Sequence, residues 1–389
     1  MRTVAPTMDS VLRMWDCIVV GAGPAGAIAA LRLAKLGHEV LLVDKASFPR
    51  HKVCGCCLNS VAQEVLAEAG LENLLRSQQA VQLDELQLFD GTRKASIKLP
   101  SSYSLSREKF DLSLIDFAVD QGCRFLPNTL MHVSRFDEDF HTIQLAGPGT
   151  EAGFARAKVL IVADGLSGRT LDGRDEFKPI VSGKSRFGAG VILDEPPSFY
   201  ESGKIYMACG SGGYVGLVRL EDGRLDVAAA LDPSYSRKAS GVAEAAAEIL
   251  AGCGLPAPST WKDSHWAGTQ VLTRRRDRVA GHRLLIAGDA CGYPEPFTGE
   301  GIAWALQSGL ATANLASKGI REWQPALSAV WQDRYRILRK QQSRSALVAR
   351  TLRNETTRRL LINSAATFPY IAATAVKYIT SVRSAVWQG

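Results

Sequence analysis

Four short runs rich in apolar residues stand out along the chain, and glycine or aspartate follows each of them closely. They are Cys17–Val20, Glu39–Val43, Val159–Val162 and Leu284–Ala287. Short apolar runs are typical of strands that a parallel sheet buries on both faces. A helical pattern lies between the first two runs, with apolar residues at Ala29, Ala30, Leu33 and Ala34. This succession predicts a strand–helix–strand unit at the beginning of an α/β fold.

The middle of the chain follows a different pattern, in which apolar and polar residues alternate between Gly, Pro and Asp turns. The segments are Val81–Phe89, Arg186–Leu193, Lys204–Ala208, Tyr214–Leu220 and Arg224–Leu231. Such alternation predicts an antiparallel sheet. No helix follows Gly210–Gly213, so we expect a β-hairpin turn there and no second nucleotide site. From about Gln324 the pattern is helical, with an interruption at Pro369.

These patterns predict three parts in the 389-residue chain. Residues 15–80, 101–175 and 275–323 form a discontinuous Rossmann-like domain that binds the nucleotide cofactor. Residues 81–100 and 176–274 form an interleaved substrate domain built on the antiparallel sheet. Residues 324–389 form a C-terminal helical region.

The turn after the first strand carries a Gly-x-Gly-x-x-Gly motif at Gly21, Gly23 and Gly26. The first glycine allows a tight turn, the second lets backbone approach a pyrophosphate, and the third lets the helix pack on the strand. The helix N-terminus offers unpaired N–H groups to phosphate. Asp44, at the end of the second strand, can accept hydrogen bonds from a ribose. The motif alone does not distinguish NAD from FAD.

Three further motifs follow in order. Ser106–Asp111 opens a helix, and two of the apolar runs end in Asp164-Gly165 and Gly288-Asp289. The last of these motifs continues through a loop of residues 296–301 into a helix. Together, the four motifs resemble those of the p-hydroxybenzoate-hydroxylase-like flavoprotein superfamily, and most closely its geranylgeranyl-reductase-like branch. The resemblance covers roughly Trp15 to Leu315.

The resemblance implies a glutathione-reductase-type Rossmann-like domain that binds FAD. It places the ADP half of FAD at the glycine turn and Asp44, the ribityl chain at Asp289, and Arg107 beside the flavin. It also places Asp164 and Gly165 near both FAD and reduced nicotinamide. The cofactor-binding residues that we expect are Gly21, Gly23, Gly26, Asp44, Lys45, Arg107, Asp164, Gly165, Gly288, Asp289, Pro296, Gly299, Gly301 and Ile302.

Cys54 and Tyr214 are the candidate catalytic residues. The segment Arg50–Gly55 is similar to the reductase loop in which a cysteine lies near the flavin. Cys56 and Cys57 stand where glycines are usual, and we expect both to be packing residues. The reductases carry a signature with an aromatic residue, a tryptophan and a proline in the substrate domain. Tyr214 matches the aromatic residue of that signature, but the tryptophan and the proline are missing here. Gly216 is expected to widen the pocket instead.

Three functions follow as hypotheses. The first, which we favour, is an NAD(P)H-dependent monooxygenase that hydroxylates an apolar aromatic, polyketide or isoprenoid-type substrate. The second is a geranylgeranyl-reductase-like ene-reductase of prenyl chains. The third is a flavin-binding carrier without turnover, which the motifs near the ring disfavour. Without a second nucleotide domain, NAD(P)H would have to dock transiently at the FAD face.

The net charge of +7 is concentrated near the C-terminus. The segment 333–359 holds nine basic and two acidic residues, which is +7, so the rest of the chain is neutral. This basic segment is either a solvated helical face or a surface for anionic lipid or an acidic carrier protein. Only one aromatic residue, Tyr335, lies among its arginines, which argues against nucleic acid.

Cysteine usage and the absence of targeting signals bear on localisation. Eight cysteines, three of them at 54, 56 and 57, suit a reducing cytoplasm better than a disulfide framework. No second ligand group at suitable spacing supports a metal site. The first fourteen residues lack the apolar core of a signal peptide, and no run is long enough to span a bilayer. We therefore expect a cytoplasmic protein, which associates with membranes if the basic segment is a lipid-binding surface and not a solvated face.

Overall fold

Two large sheets and one small sheet make up the framework of the computed structural model, which describes residues 11–148, 152–295, 297 and 299–380. The first sheet contains β1 (Met14–Val20), β2 (Val40–Val43), β6 (Arg124–Leu126), β7 (Leu130–Phe136), β8 (His141–Ala146), β9 (Gly153–Val162), β17 (Ala280–Gly281) and β18 (Leu284–Ile286). The second contains β3 (Cys57–Leu58), β4 (Val81–Asp90), β5 (Arg93–Ser104), β11 (Phe187–Leu193), β12 (Lys204–Gly210), β13 (Gly213–Arg219), β14 (Leu225–Leu231) and β15 (Ala267–Val271). The small sheet joins β10 (Ile180–Val181), β16 (Arg274–Arg275) and β19 (Gly292–Tyr293).

The helices cover the sheets and form the C-terminal region. They are α1 (Pro24–Lys35), α2 (Ser60–Glu68), α3 (Leu74–Ser77), α4 (Arg107–Asp120), α5 (Pro233–Lys238), α6 (Val242–Gly252), α7 (Gly301–Arg321), α8 (Pro325–Thr351), α9 (Glu355–Thr367) and α10 (Pro369–Thr380). The α/β fold with a helical C-terminal region is therefore confirmed. Pro369 begins α10, since proline cannot continue a helix but fits its first turn.

The first sheet is the Rossmann-like sheet that the apolar runs predict. Its central order is β17-β18-β9-β1-β2-β6, and β18, β9, β1, β2 and β6 run parallel. The residues of β2 and β18 are completely buried, as expected for strands covered on both faces. Because the carboxyl ends of parallel strands meet at one edge, the turns after β1, β9 and β18 lie side by side. The three predicted cofactor motifs are thereby brought together.

The second sheet has the order β15-β11-β14-β13-β12-β4-β5-β3. Its neighbouring strands are antiparallel, except that β12 pairs with β4 in parallel. The predicted hairpin at Gly210–Gly213 is confirmed, because these two residues pair with each other at the end of β12 and β13. The edge strand β3 belongs to this sheet although it follows the first α/β unit closely, so the loop before it crosses from one sheet to the other.

The C-terminal helices are held against the second sheet by buried charges as well as by apolar packing. In α9, the Nε of Arg358 lies 3.0 Å from an Asp90 carboxylate oxygen, and Arg358 is 3% exposed. Arg353, which follows α8, pairs with the buried Glu295 at 2.6 Å. The basic segment is therefore not one solvated face. Within the described ranges, no helix is both long and apolar enough to cross a membrane.

Candidate active site

A single cavity of about 780 Å³ runs from the carboxyl edge of the first sheet to the face of the second. Most of the predicted site residues line it. They are Gly21, Gly23, Asp44, Lys45, Cys54, Arg107, Asp164, Gly165, Tyr214, Gly288, Asp289, Gly299, Gly301 and Ile302. Gly26 lies behind the turn and does not line the cavity, and Pro296 falls outside the described residues.

The glycine turn has the geometry that its sequence predicts. Gly21 has a φ of +94°, and a Cβ atom there would lie 2.3 Å from the carbonyl oxygen of Ala163. A Cβ atom at Gly26 would lie 1.7 Å from the Gly21 carbonyl oxygen. Both positions therefore require glycine, because β1, β9 and α1 approach so closely. Gly23, the N-cap of α1, faces the cavity instead.

Two arginines stand over the open position at Gly23. A Cβ atom there would lie 3.6 Å from an Arg50 nitrogen and 3.8 Å from an Arg107 nitrogen. Arg107 is held by two hydrogen bonds of 2.8 and 2.7 Å to Asp111. Guanidinium groups beside the N–H groups of a helix N-terminus suit a pyrophosphate. The cradle therefore fits the ADP half of FAD, and Arg50 is a site residue that motif reasoning missed.

Asp44 is buried at the end of β2 and is fixed by backbone groups. Its two carboxylate oxygens accept hydrogen bonds from the amides of Ala22 at 2.7 Å and Ala46 at 2.9 Å. The first of these bonds ties the acid directly to the glycine turn. The carboxylate still lines the cavity, where it can also accept a hydrogen bond from a ribose hydroxyl.

Two further acids mark the turns after β9 and β18. Burial raises the pKa of Asp164, and its carboxylate accepts a hydrogen bond of 3.1 Å from the Thr170 amide. Burial also raises the pKa of Asp289, although the neighbouring Lys52 and Arg107 act in the opposite direction. Burial lowers the pKa of Lys52 in turn. These acidic and basic side chains lie together at the cavity, where polar groups of a cofactor could form hydrogen bonds with them.

Phe297, Gly299 and Gly301, just before or at the start of α7, line one end of the cavity. Gly299 has a φ of +74°, and Gly301 is the first residue of α7. The ring of Phe297 meets Tyr214 edge-on, with 5.0 Å between ring centres. The Glu300 carboxylate bonds to the Ser345 hydroxyl of α8. The helix N-terminus thus faces the cavity, where it would stabilise negative charge on a reduced flavin.

Cys54 lies between the two sheets, beside Arg107. The neighbouring Cys56 thiol, helped by Arg107, lowers the pKa of Cys54 to about 6. Cys56 has a φ of +52°, which is rare for a residue with a side chain. That turn brings its amide to 3.4 Å from Cys54 Sγ. Cys56 is buried, as expected of a packing residue, and it also acts to lower the pKa of both Cys54 and Asp226.

Asp226 is the second site residue that motif reasoning missed. It lies in β14, is 2% exposed and lines the cavity next to the cysteine loop. Burial and the charge of Cys54 raise its pKa well above the usual value. The only signal in the sequence is an acid within the otherwise apolar run Leu225–Leu231.

The wall opposite the cofactor motifs is apolar and comes from the second sheet and the C-terminal helices. It includes Leu86, Leu99, Met207, Leu217 and Val376. Tyr214 is buried there, and burial raises its pKa. A Cβ atom at Gly216 would lie 3.3 Å from the terminal methyl group of Met207. The expected widening at Gly216 is therefore largely filled by Met207.

Comparisons with known proteins agree with this geometry. A family model described as FAD binding domain matches residues 14–324. The menaquinone reductase of Mycobacterium tuberculosis is 28% identical over 344 residues, which cover 82% of this chain and 80% of that protein. The digeranylgeranylglycerophospholipid reductase 2 of Methanosphaera stadtmanae is 26% identical over 325 residues, 79% of each protein.

The fold is also shared with a solved structure of p-nitrophenol 4-monooxygenase PnpA from Pseudomonas putida DLL-E4. The TM-score is 0.76 at 17% identity, and the match covers 96% of this chain and 100% of that one. At such low identity the likeness concerns the fold alone.

Proposed function

Because this chain belongs to the FAD-binding domain family, we propose that it reduces carbon–carbon double bonds in an apolar, isoprenoid-type substrate, with NAD(P)H as electron donor. The chain is an FAD-dependent oxidoreductase of the p-hydroxybenzoate-hydroxylase-like superfamily. Two relatives are named as reductases, one of menaquinone and one of digeranylgeranylglycerophospholipid. Their names support reduction as the reaction type.

FAD would be held by the residues that line the first part of the cavity. Gly23, Arg50 and Arg107 would bind the pyrophosphate, Asp44 the adenosine ribose and Asp289 the ribityl chain. When bound, the flavin accepts two electrons from a nicotinamide and delivers them to a substrate as hydride. The loop at Gly299 and the N-terminus of α7 would lie against its ring.

The observation that carries the proposal is the set of proton-carrying groups where the two halves of the cavity meet. Reduction of a double bond requires a proton as well as a hydride. Cys54, Cys56 and Asp226 adjoin one another at this point, and Cys54 and Asp226 have shifted pKa values of opposite direction. Pairs of titratable groups whose environments separate their pKa values are typical of acid–base chemistry. The apolar wall beyond them suits a hydrocarbon chain.

Hydroxylation of an apolar aromatic or polyketide substrate is the second candidate function. The small residues Gly188, Ala228 and Ala230 line the cavity and leave room for a ring. Against it stands Cys54, because a thiolate is readily oxidised where oxygen is activated. The third hypothesis, a flavin carrier without turnover, is not supported, because such a carrier would not need acid and thiol groups beside the flavin site.

An anaerobic experiment separates these candidates. The holoenzyme is reduced with NADPH or NADH and mixed with a polyprenyl lipid or an alkyl phenol. We expect the prenyl lipid to gain the mass of two hydrogen atoms per turnover. In air with labelled oxygen, the product should carry no label. Label in the product would establish hydroxylation instead, and reoxidation of the flavin without any product would leave neither reaction standing.

Contact with an anionic membrane surface is part of this proposal, since such a substrate is lipid-borne. In the described C-terminal helices, large apolar side chains are exposed at Leu347, Leu360, Phe368, Tyr370, Ile371 and Tyr378. Arg344 lies over the Tyr378 ring, 4.5 Å from its centre. Val376 and Thr380 of α10 line the cavity, so the same helix has one side at the substrate and another at the surface. Exposed apolar groups next to arginines suit anionic lipid.

A further inference from the structure

Arg107, Cys54, Cys56 and Asp226 line the cavity together where the two sheets meet. The positive charge of Arg107 helps to lower the pKa of the Cys54 thiol. The Cys56 amide donates to Cys54 Sγ at 3.4 Å, and the Cys56 thiol donates to the Cys54 carbonyl oxygen at 3.8 Å. Cys56 also acts to lower the pKa of both Cys54 and Asp226, so one residue influences the acid of β14 and the thiol of the cysteine loop.

Asp226 is unusual for a residue of a buried strand, in which it is the second position. Its neighbours Leu225 and Val227 are completely buried, and Asp226 is itself 2% exposed. Within the described residues, its Oδ2 has no hydrogen-bond partner, and the side chain lines the cavity. An ionised carboxylate in such a place is strongly disfavoured relative to the neutral acid. The surroundings therefore favour the protonated form of Asp226.

The charged groups that face Asp226 come from three elements. Arg107 of α4 and Arg224 before β14 favour its ionised form, whereas the Cys54 thiolate disfavours it. Burial and Cys54 prevail, so the pKa of Asp226 is raised, while the Cys56 thiol lowers the pKa of Cys54. Two adjacent negative charges cannot both form easily in a buried site. The first negative charge therefore lies on Cys54, and the proton stays on Asp226.

We propose that Asp226 is a positioning residue that shares one negative charge with Cys54 and stores the proton that Cys54 passes to the substrate. This inference rests on the proposed double-bond reduction, in which one carbon receives hydride from the reduced cofactor and the other receives a proton. The Asp226 O–H bond breaks as Cys56 gains this proton and passes its own to the Cys54 thiolate. The new Cys54 S–H bond then breaks as the C–H bond forms. As the Cys54 thiolate forms again, Asp226 takes a proton from water, which leaves hydroxide, so the pair returns to one negative charge.

Infrared difference spectra of the holoenzyme test the stored proton without turnover. At neutral pH, the wild type minus Asp226→Asn should show the carbonyl stretch of a protonated carboxylic acid. In Cys54→Ser, this band should disappear at lower pH than in the wild type, because the like charge is gone. Asp194→Asn changes an exposed acid directly after β11 and serves as the control. The inference would be overturned if the acid band were missing, or if it disappeared at the same pH in Cys54→Ser and in the wild type.

Kinetics test the use of that proton. Asp226→Asn should slow substrate reduction about 100-fold, the usual range for loss of an acid group. The high-pH limb of the rate profile should vanish, while KM, FAD content and flavin reduction by NAD(P)H stay unchanged. Asp226→Glu should restore part of the rate. Loss of FAD or a raised KM in Asp226→Asn would indicate a structural role and contradict the inference.

The two proposals can fail separately. If the acid band behaves as expected but no substrate gains two hydrogens, the proposed reaction is wrong and the shared charge stands. If the wild type reduces its substrate without an acid band at neutral pH, the inference about Asp226 alone is wrong.

Discussion

Replacing Arg358 by methionine should release the C-terminal helices from the second sheet. The Arg358 guanidinium is buried in α9, with its Nε 3.0 Å from an Asp90 oxygen. It also donates to the carbonyl oxygens of Leu352 at 3.2 Å and Gly210 at 3.4 Å. Among the described residues, Arg358 is the ion-pair partner of Asp90, and the substitution leaves this carboxylate, 6% exposed, without it. Breaking one side of a buried ion pair typically costs about 3–5 kcal/mol.

The adjacent arginine provides a matched control. Arg359 pairs with Glu355 on the surface, and its side chain is 50% exposed. Exposed pairs of this spacing contribute about 0.3–0.5 kcal/mol, so Arg359→Met should leave the free energy of unfolding nearly unchanged. Adding Asp90→Leu to Arg358→Met removes the unpaired charge and should recover stability relative to the single variant.

Urea unfolding and hydrogen exchange would measure these effects. We expect the loss of stability in Arg358→Met to appear first as faster hydrogen exchange of the amides in α9 and α10, because the Arg358–Asp90 ion pair anchors these helices locally. A difference below about 1 kcal/mol between the Arg358 and Arg359 variants would refute the reasoning, since it rests on burial. A double variant no more stable than Arg358→Met would refute it as well.

Three other outcomes follow from the site and its surface. Gly23→Glu should abolish FAD retention on gel filtration, because the new carboxylate would pair with the arginines over the turn; full flavin occupancy would show that this turn does not hold the pyrophosphate. Alkylation of Cys54 should rise through a midpoint near pH 6 as the reactive thiolate forms, and Cys56→Ala should shift the midpoint upward; an unshifted midpoint would contradict the role of Cys56. Sedimentation with anionic vesicles should fall when Arg344→Gln and Ile371→Ser are combined, with FAD content unchanged; equal sedimentation with neutral and anionic vesicles would favour a merely solvated surface.

Much of the fold could be predicted because its signals are local. The buried runs at β1, β9 and β18 need only neighbouring residues to identify them, and a glycine turn is recognisable from its spacing. Parallel pairing then brings Gly21, Asp164 and Gly288 to one edge without further information. The hairpin at Gly210–Gly213 follows in the same way from a turn between two alternating segments.

The acid–thiol arrangement could not be predicted in this way. Asp226 and Cys56 are far apart in the sequence, and they meet only because β3, directly after the cysteine loop, crosses to the second sheet. Arg50 likewise reaches Gly23 through the path of its loop. No local sequence pattern indicates contacts between residues that are far apart in the chain. The sequence therefore predicts only a packing role for Cys56.

The basic segment shows most plainly the difference between what the sequence determines and what the tertiary structure determines. Its charge of +7 is a property of composition and was determined by the sequence alone. Which arginines face solvent depends on acids that are distant in the chain, namely Asp90 for Arg358 and Glu295 for Arg353. Burial of a charge is stable only with its partner in place, so the tertiary structure decides which of these residues anchor helices and which remain exposed to solvent.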